Sequence, residues 1–249
     1  MRQALQPLAD ELDAWAAEGR PATLWWRDDD AVRRDGPVER MLGLADRHAA
    51  PVFIATPPAL TEASLAEAVA GCATAFAIQH GFAHESHRIA PGKSELGTDR
   101  PLPVVREEIA SGQARMAALF GRDAQPIMAP PWNRIDAEVA ALLPAMGFAA
   151  LSTFEGRGPN RVPGLRRLDG VCDPISWKRG RSFVGTAEMC RRLARHLAAR
   201  RAGLTAMPTS LVTHVWAQDA EAWEGLEAVL ALVSEHPGGR WLGASELLS

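Results

Sequence analysis

The sequence predicts an α/β fold built on a parallel sheet, either a (β/α) barrel or an open wound sheet. Strand-like and helix-like segments alternate along most of the chain, which is typical of repeated β–α units. The 249 residues, 47% of them hydrophobic, are enough to bury a large core. Because neither an internal repeat nor a linker is evident, we expect residues 1–249 to form one domain.

The elements are predicted from hydrophobic periodicity and from the residues that end each segment. Short apolar runs that end in proline or polar residues predict strands at 22–26, 51–56, 74–80, 126–129, 148–153 and 210–216. Helical periodicity predicts helices at 1–20, 37–49, 60–71, 103–121, 135–147, 186–203 and 219–236. The Gly-, Pro- and Arg-rich segment 155–185 has no clear assignment. Residues 81–102 are predicted to form a long polar loop, either a solvated surface loop or a lid over a substrate.

Composition narrows the class of protein. The net charge of −3 gives no electrostatic case for binding nucleic acid. Cys72, Cys172 and Cys190 are far apart, which is unlike a disulfide framework or a cysteine zinc site and fits a reducing compartment. The N-terminus carries acids where a signal peptide has an apolar run, and no stretch reaches the ~20 apolar residues of a membrane span. We expect a soluble cytoplasmic protein of unspecified oligomeric state.

Polar or special residues follow four of the predicted strands. The triplet of aspartates at 28–30 follows the first strand, His80 follows the third, the sequence PPWN follows the fourth, and His214 lies near the end of the strand at 210–216. Enzymes with this type of sheet place their chemistry at the carboxyl ends of the strands. We therefore expect these residues to converge on one face.

The spacing of two histidines indicates a metal site. His80 and His84 are four residues apart, so both imidazoles can lie on one face of a helical turn and bind one cation. A carboxylate from the triplet would complete a His₂Asp set with open positions, which is a catalytic arrangement. The triplet by itself is equally typical of a turn or a helix N-cap. His214 is either a buried core histidine or a general acid.

Taken in order, these motifs resemble the polysaccharide deacetylases, or NodB-homology hydrolases, of carbohydrate esterase family 4. WRDDD resembles the first motif of that family, HGFAH the second, MAPPWN the third and LVTH the fifth, while CDPISW is a weak match to the fourth. The resemblance spans roughly residues 22–216. It implies a distorted (β/α) barrel of about seven parallel strands, of the NodB-homology type.

The resemblance also implies roles for individual residues. Asp28 takes the place of the catalytic base and His214 that of the general acid. The metal ligands implied are Asp29, His80 and His84. They would hold one divalent ion, for which zinc is our first expectation and for which cobalt, nickel and manganese are also suitable. The positions expected to form the oxyanion site or to contact substrate are Trp132, Pro131, Leu211 and Trp177.

Some positions depart from the family pattern. The third-motif arginine that usually steadies the base is Ala129 here, so we expect Arg27 or Arg134 to replace it. Asp30 replaces a common glycine and adds a charge close to the site, and Gly81 stands where a hydroxyl residue often orients the histidine loop. Asp173 is the expected partner of His214, with Asp169 as an alternative. These changes predict a divergent branch whose substrate need not be a polymer.

The predicted function is that of a metal-dependent hydrolase. It would remove an acetyl or similar acyl group from an N- or O-acylated sugar or a related small substrate, using an Asp base and a His acid. Two alternatives stay open. One is a hydrolase of a non-sugar amide or formamide C–N bond, and the other is a non-catalytic carbohydrate-binding or regulatory relative.

Overall fold

A computed structural model describes residues 1–159 and 161–249, with the backbone alone at Arg179. Its main feature is a sheet of parallel strands. The strands of this sheet are β1 (Ala22–Asp29), β2 (Val52–Thr56), β3 (Ala75–Gln79), β4 (Ala124–Met128), β5 (Ala150–Leu151), β6 (Arg166–Arg167), β9 (Thr209–Thr213) and β10 (Gly239–Trp241). The short strands β7 (Ile175–Ser176) and β8 (Ser182–Phe183) form a separate antiparallel pair.

Helices connect most of the strands of the sheet, as repeated β–α units require. In chain order the helices are α1 (Arg2–Ala17), α2 (Gly36–Arg47), α3 (Ala63–Ala70), α4 (Leu102–Phe120), α5 (Ala137–Ala140), α6 (Thr186–Arg201), α7 (Ala220–Glu235) and α8 (Ala244–Leu248). The ends of α2 and α7 agree closely with the sequence prediction, since Asp35 and Asp219 cap their N-termini through side-chain hydrogen bonds.

The parallel strands curve into a barrel, in which β1 pairs with β2, β9 and β10. The sheet runs from β1 through β2, β3, β4 and β5 to β6, while β9 and β10 also pair with β1. The chain beyond β6 then reaches β9 through a parallel bridge between Cys172 and Leu211, where the Val212 N–H donates to the Cys172 carbonyl at 2.8 Å. This bridge joins the two ends of the strand order and confirms the predicted distorted (β/α) barrel of about seven parallel strands.

Alternation along the strands divides the core into an interior and an exterior. Trp25 packs inside the barrel, whereas Leu24 and Trp26 pack between the sheet and the helices. The interior cluster consists of Trp25, Phe53, Ala55, Ile78, Ile127, Ala129, Ala150, Leu168, Leu242 and Leu247. Leu247 comes from α8, while Ala129, Leu168 and Leu242 directly follow β4, β6 and β10.

Several predicted elements differ from the structure: the strands expected at 148–153 and 210–216 are the shorter β5 and β9, and β1 and α5 differ as well. β1 continues to Asp29 instead of ending near residue 26, because Asp28 and Asp29 remain paired with Ile54 and Ala55 of β2. The helix expected at 135–147 is the short α5 followed by turns and a 3₁₀ segment, Pro144–Met146. Pro144 has no N–H to donate to a continuing helix, which explains the break.

Within the described residues, none of the helices has the length and apolar character needed to cross a membrane. Cys72, Cys172 and Cys190 are all free thiols, in agreement with the expectation that they form no disulfide framework. The assignment of residues 1–249 to one domain stays a prediction.

Gly238 allows β10 and α1 to approach closely. A Cβ at this buried position would lie 2.0 Å from the Leu12 carbonyl oxygen of α1. We predict that Gly238→Ala lowers the free energy of unfolding by about 2 kcal/mol or more, since backbone must shift. At exposed Gly43 in α2, an added Cβ would meet no other atom within 4 Å, so Gly43→Ala should stabilise by roughly 0.5–1 kcal/mol. Urea denaturation of both variants tests the contrast, which equal effects would contradict.

Candidate metal centre and active site

One cavity of about 710 Å³ collects most of the predicted site residues. It lies beyond the carboxyl ends of β1, β3 and β9, where the chain leaves each strand. The predicted residues that line it are Asp29, His80, His84, Arg134, Trp132, Asp173, Trp177 and His214. Asp30 lines it as well. The convergence expected from strand-end positions is therefore present.

Asp30, His80 and His84 form a candidate metal centre. One ligand atom from each of the three residues lies within 4.8 Å of the others. His80 Nε2 is 3.1 Å from Asp30 Oδ1, and His84 Nε2 is 3.2 Å from the same oxygen. On a tetrahedral zinc ion with bonds of about 2.0–2.1 Å, neighbouring ligand atoms lie roughly 3.3 Å apart. The two nitrogen–oxygen distances therefore fit a shared cation.

The hydrogen bond of His80 to a backbone carbonyl orients its other ring nitrogen, Nε2, toward Asp30. His80 Nδ1 lies 2.8 Å from the Ala129 carbonyl oxygen, which can only accept a hydrogen bond, so Nδ1 carries the proton. In the neutral ring the Nε2 lone pair then points at a carboxylate oxygen, and the two repel unless a proton or a metal ion lies between them. Such an Nδ1–H to carbonyl contact is the usual orienting interaction of a metal-binding histidine.

Asp30 is presented to the histidines by the turn that ends β1. Its N–H donates to the Ala55 carbonyl at 3.0 Å, and its φ of 75° places the backbone in the left-handed region. Burial raises the pKa of this carboxyl, but the hydrogen bonds from His80 and His84 outweigh burial and hold the pKa below its usual range. The same pairing raises the pKa of His80 despite the opposing effect of burial. Asp30 is thus an ionised carboxylate facing two imidazoles.

Asp29 is held by a buried arginine. Arg27 Nη2 donates to Asp29 Oδ2 at 2.9 Å, and Arg27 Nε lies 2.8 Å from Asp29 Oδ1. Both side chains lie on the interior face of β1, two residues apart. Arg27 also donates to Ser152 Oγ at 2.5 Å and to Asn133 Oδ1 at 2.7 Å. Arg27 therefore fixes the orientation of Asp29, whereas the expectation was that it would support Asp28.

Asp28 is on the opposite face of β1, outside the cavity. Its Oδ2 accepts hydrogen bonds from Thr213 Oγ1 at 2.6 Å and from the Val215 N–H at 3.1 Å. Burial raises its pKa well above the ordinary value, and the nearby Asp29 and Asp30 add to the rise against the effect of the Thr213 hydrogen bond. Thr213 and Val215 flank His214, so Asp28 holds the backbone on both sides of that histidine.

These positions shift the predicted roles within the triplet by one residue. Asp28, expected to be the base, is buried away from the cavity, and Asp29, expected to be a metal ligand, is paired with Arg27. Asp30 occupies the place beside the two imidazoles. The physical reason is the period of two along a strand, because an error of one residue moves every side chain to the other face.

His214 lies between two carboxylates. Its Nε2 is 3.9 Å from Asp29 Oδ2, and its Nδ1 is 3.8 Å from Asp173 Oδ2. Burial raises the pKa of Asp173, against the lowering effect of His214 and of the hydrogen bond that Trp177 Nε1 donates at 2.7 Å. The Trp177 ring in turn contacts His214 edge-on, with 4.7 Å between centroids. The structure thus places the expected partner, Asp173, beside His214, with Trp177 alongside.

The remaining predicted contacts divide into two groups. Trp132 lies in the cavity wall with its ring centroid 4.5 Å from that of His84, and its φ of 54° marks a sharp turn after β4. Arg134 lines the cavity but donates to the Lys93 carbonyl rather than to an aspartate of the triplet. Pro131 is buried behind Gly81, and Leu211 packs in the core between the sheet and the helices. The last two are corrections, since neither side chain lines the cavity.

Glu95 supports the histidine turn, a role that no motif or spacing in the sequence indicates. This fully buried carboxylate accepts hydrogen bonds from the N–H groups of Phe82 at 3.0 Å and Ala83 at 2.7 Å. A Cβ on Gly81 would lie 1.9 Å from Glu95 Oε2, so glycine is required for this approach. The loop at 81–102 is thus anchored at residues 94–97, which are buried.

We predict that Arg27→Met lowers the free energy of unfolding by about 3–5 kcal/mol, because it leaves the Asp29 carboxylate buried without its partner. The double variant Arg27→Met/Asp29→Leu should recover much of this loss. Denaturation in a buffer with a chelator measures both, and exposed Arg122→Met is the control with a change within about 0.5 kcal/mol. If the double variant lost as much stability as Arg27→Met and Asp29→Leu lose together, the pairing would be contradicted.

We also predict which aspartate controls metal affinity. Asp30→Asn and His84→Ala should weaken zinc binding by more than about 100-fold, since each removes a ligand. Asp28→Asn should change it by less than about threefold, because its carboxylate faces away from the cavity. Titration calorimetry with zinc on the three variants measures the affinities. Loss of binding in Asp28→Asn with retention in Asp30→Asn would reverse the assignment.

Known proteins resemble this chain in structure rather than in sequence. No family model and no curated protein sequence matches it significantly. A Mycobacterium smegmatis protein classed with the polysaccharide deacetylases is 18% identical, with a TM-score of 0.65 over 92% of this chain and 90% of that one. A family 4 carbohydrate esterase from Streptomyces lividans, solved with acetate, is 12% identical, with a TM-score of 0.51 over 87% and 88%.

A Bacillus anthracis pseudoenzyme of family 4 also shares the fold, at 12% identity and a TM-score of 0.58 over 92% of this chain and 66% of that one. A mutant of it with restored enzymatic activity is similar to the same degree, with a TM-score of 0.58. At identities this low, structural similarity establishes the fold alone. The superpositions confirm the fold that the resemblance implied: the chain has the NodB-homology fold of the family 4 carbohydrate esterases, with a widely divergent sequence.

Proposed function

We propose that the protein is a metal-dependent deacylase that hydrolyses an N- or O-acetyl, or similar acyl, group on a sugar or related small substrate. The observation that carries the proposal is the content of one cavity. The cavity is lined by a His₂Asp donor set, by a carboxylate that a buried arginine orients, and by a histidine 3.9 Å from that carboxylate. Deacetylases among the structural relatives support the reaction class.

The residues of the candidate metal centre would hold one divalent ion, with zinc first and cobalt, nickel or manganese as alternatives. When bound, such an ion polarises an acyl carbonyl and lowers the pKa of water at the site. The His₂Asp set leaves positions open for substrate and water, which is characteristic of catalytic rather than structural sites.

Asp29 is the proposed base. Its side chain lines the cavity next to Asp30, and Arg27 keeps its carboxylate in one orientation. A carboxylate in this position accepts the proton of the attacking water while Asp30 keeps its place beside the imidazoles. Two neighbouring aspartates thus serve two different roles.

His214 is the proposed acid. Its Nε2 edge faces the Asp29 side of the cavity, and Asp173 lies by Nδ1, so the ring is oriented to deliver a proton from Nε2 to the leaving amine or alkoxide. Asp28 supports this step from outside the cavity through the two residues that flank His214. Trp132 and Trp177 offer aromatic surfaces to a sugar ring, and a Trp132 backbone N–H would stabilise the oxyanion.

We predict that Asp29→Asn lowers kcat for acetate release by about 10²–10⁴-fold, because it removes the proton acceptor, while zinc content after purification stays near that of the wild type. Acetate is measured over a panel of N-acetylated sugars, O-acetylated sugars and acylated or formylated non-sugar amines. Asp13→Asn, on the exposed face of α1, is the matched control and should be fully active.

The panel also separates the alternatives. If only the non-sugar amides are hydrolysed, the first alternative, a hydrolase of a non-sugar C–N bond, replaces the sugar deacylase. A wild type and an Asp29→Asn variant that bind zinc and are equally inert on every substrate would favour the non-catalytic relative, a class represented among the structural neighbours by the pseudoenzyme.

A further inference from the structure

We infer that the cavity recognises a phosphoryl group on its substrate, so that the substrate class is a phosphorylated acyl sugar. The inference deepens the proposed function and rests on it for the acyl group. Its starting point is the charge of the cavity wall. Among the described lining residues, five are basic: Lys93, Arg134, Arg157, Arg181 and Arg192. This concentration of positive charge occurs in a chain whose net charge is −3.

Most of these cations are not neutralised by the protein. Arg192 is engaged by Glu188, whose Oε1 lies 2.9 Å from its Nε. Within the described part of the chain, Lys93, Arg134, Arg157 and Arg181 have no carboxylate at ion-pair distance. Arg134 donates a hydrogen bond to the Lys93 carbonyl at 3.2 Å. Four positive side chains around one concavity therefore keep their charge available to a ligand.

Two of the cations are held in place by aromatic rings that also line the cavity. Lys93 Nζ lies 5.5 Å from the ring centroid of Trp132, and the Arg181 guanidinium carbon lies 5.9 Å from that of Trp216. A cation–π contact positions a charge without neutralising it. Trp132 contacts His84, and Trp216 lies 6.2 Å from His214, so the two cations stand next to the metal donors and next to the proposed acid.

The acidic residues of the cavity do not cancel the positive charge of these lysine and arginine side chains. Asp29 is matched by Arg27, and Asp30 would share its charge with a divalent ion. Asp173 is the lining carboxylate that is paired neither with an arginine nor with the ion, and its neighbour at ion-pair distance is His214. The four Lys and Arg side chains without a carboxylate partner outnumber it, and an excess of one sign of charge in a concave site concentrates oppositely charged ligands. The expected substrate is thus an anion.

The number and type of the cations favour a phosphoryl group over a carboxylate. A carboxylate is satisfied by one guanidinium fork, whereas the oxygens of a phosphoryl dianion accept from several donors at once. Three of the four unneutralised cations are arginines, at positions 134, 157 and 181. The acyl group would then lie at the metal donors and the phosphoryl group at the cavity wall.

The test compares kcat/KM of the zinc-loaded enzyme on N-acetylglucosamine, its 1-phosphate and its 6-phosphate, with N-acetylmuramic acid as a carboxylate comparator. We expect at least one phosphate to be preferred over the neutral sugar by about tenfold or more, and the preference to fall as salt increases. Lys93→Gln, Arg157→Gln and Arg181→Gln should each reduce it by about three- to tenfold. Arg122→Gln, an exposed arginine outside the cavity, should leave it unchanged.

Equal rates on neutral and phosphorylated sugars, or a preference for the carboxylate, would overturn the inference while leaving the deacylase intact. If no acetate is released from any substrate, calorimetry with the same sugar phosphates decides. If the sugar phosphates bind and their binding weakens in the triple variant Lys93→Gln/Arg157→Gln/Arg181→Gln, the phosphoryl site is supported and the proposed reaction is contradicted. Binding that is absent, or unaffected by the triple variant, removes the phosphoryl site as well.

Discussion

The alternation of side chains along β1 is the constraint on which the site depends. Arg27 and Asp29 face the interior of the barrel, Asp28 faces the helices, and Asp30 leaves the strand in a left-handed turn. Each aspartate of the triplet consequently meets a different environment: one is held by Thr213 and Val215, one by Arg27, and one by two imidazoles. Three adjacent carboxyl groups coexist because each has its own partners.

The same constraint explains how the fold manages without an arginine in the third motif. Ala129 leaves the end of β4 free of charge, and its carbonyl instead orients His80. A guanidinium is instead supplied by Arg27, on the same strand as Asp29, and Asn133 and Ser152 also accept hydrogen bonds from it. A spacing of two residues along the strand places Arg27 and Asp29 on one face.

The sequence predicted the features that depend on spacing and order. The alternation of elements predicted the parallel barrel, and the motifs singled out His80 and His84 as two residues that could bind one cation. The helical turn expected to bring the two imidazoles together was wrong, since residues 80–84 form an irregular bend with positive φ at Gly81 and His84. The sequence could not determine which aspartate joins the two histidines, because WRDDD offers three identical candidates. The strand pairing that extends β1 to Asp29 depends on residues of β2 and β9, which are distant in the sequence. Asn133 and Glu95 were missed for a related reason, since their partners lie 106 and 12–13 residues away. The segment 155–185 resisted assignment because its strands are two residues long.

The central claim is that one ion lies between Asp30 and the two imidazoles, with Asp29 outside its ligand set. An anomalous difference map from crystals soaked in zinc, collected at the zinc absorption edge, addresses it directly. We expect a single peak within about 2.0–2.2 Å of His80 Nε2, His84 Nε2 and an oxygen of Asp30. A peak ligated by Asp29 instead, or none at this position under saturating zinc, would contradict it.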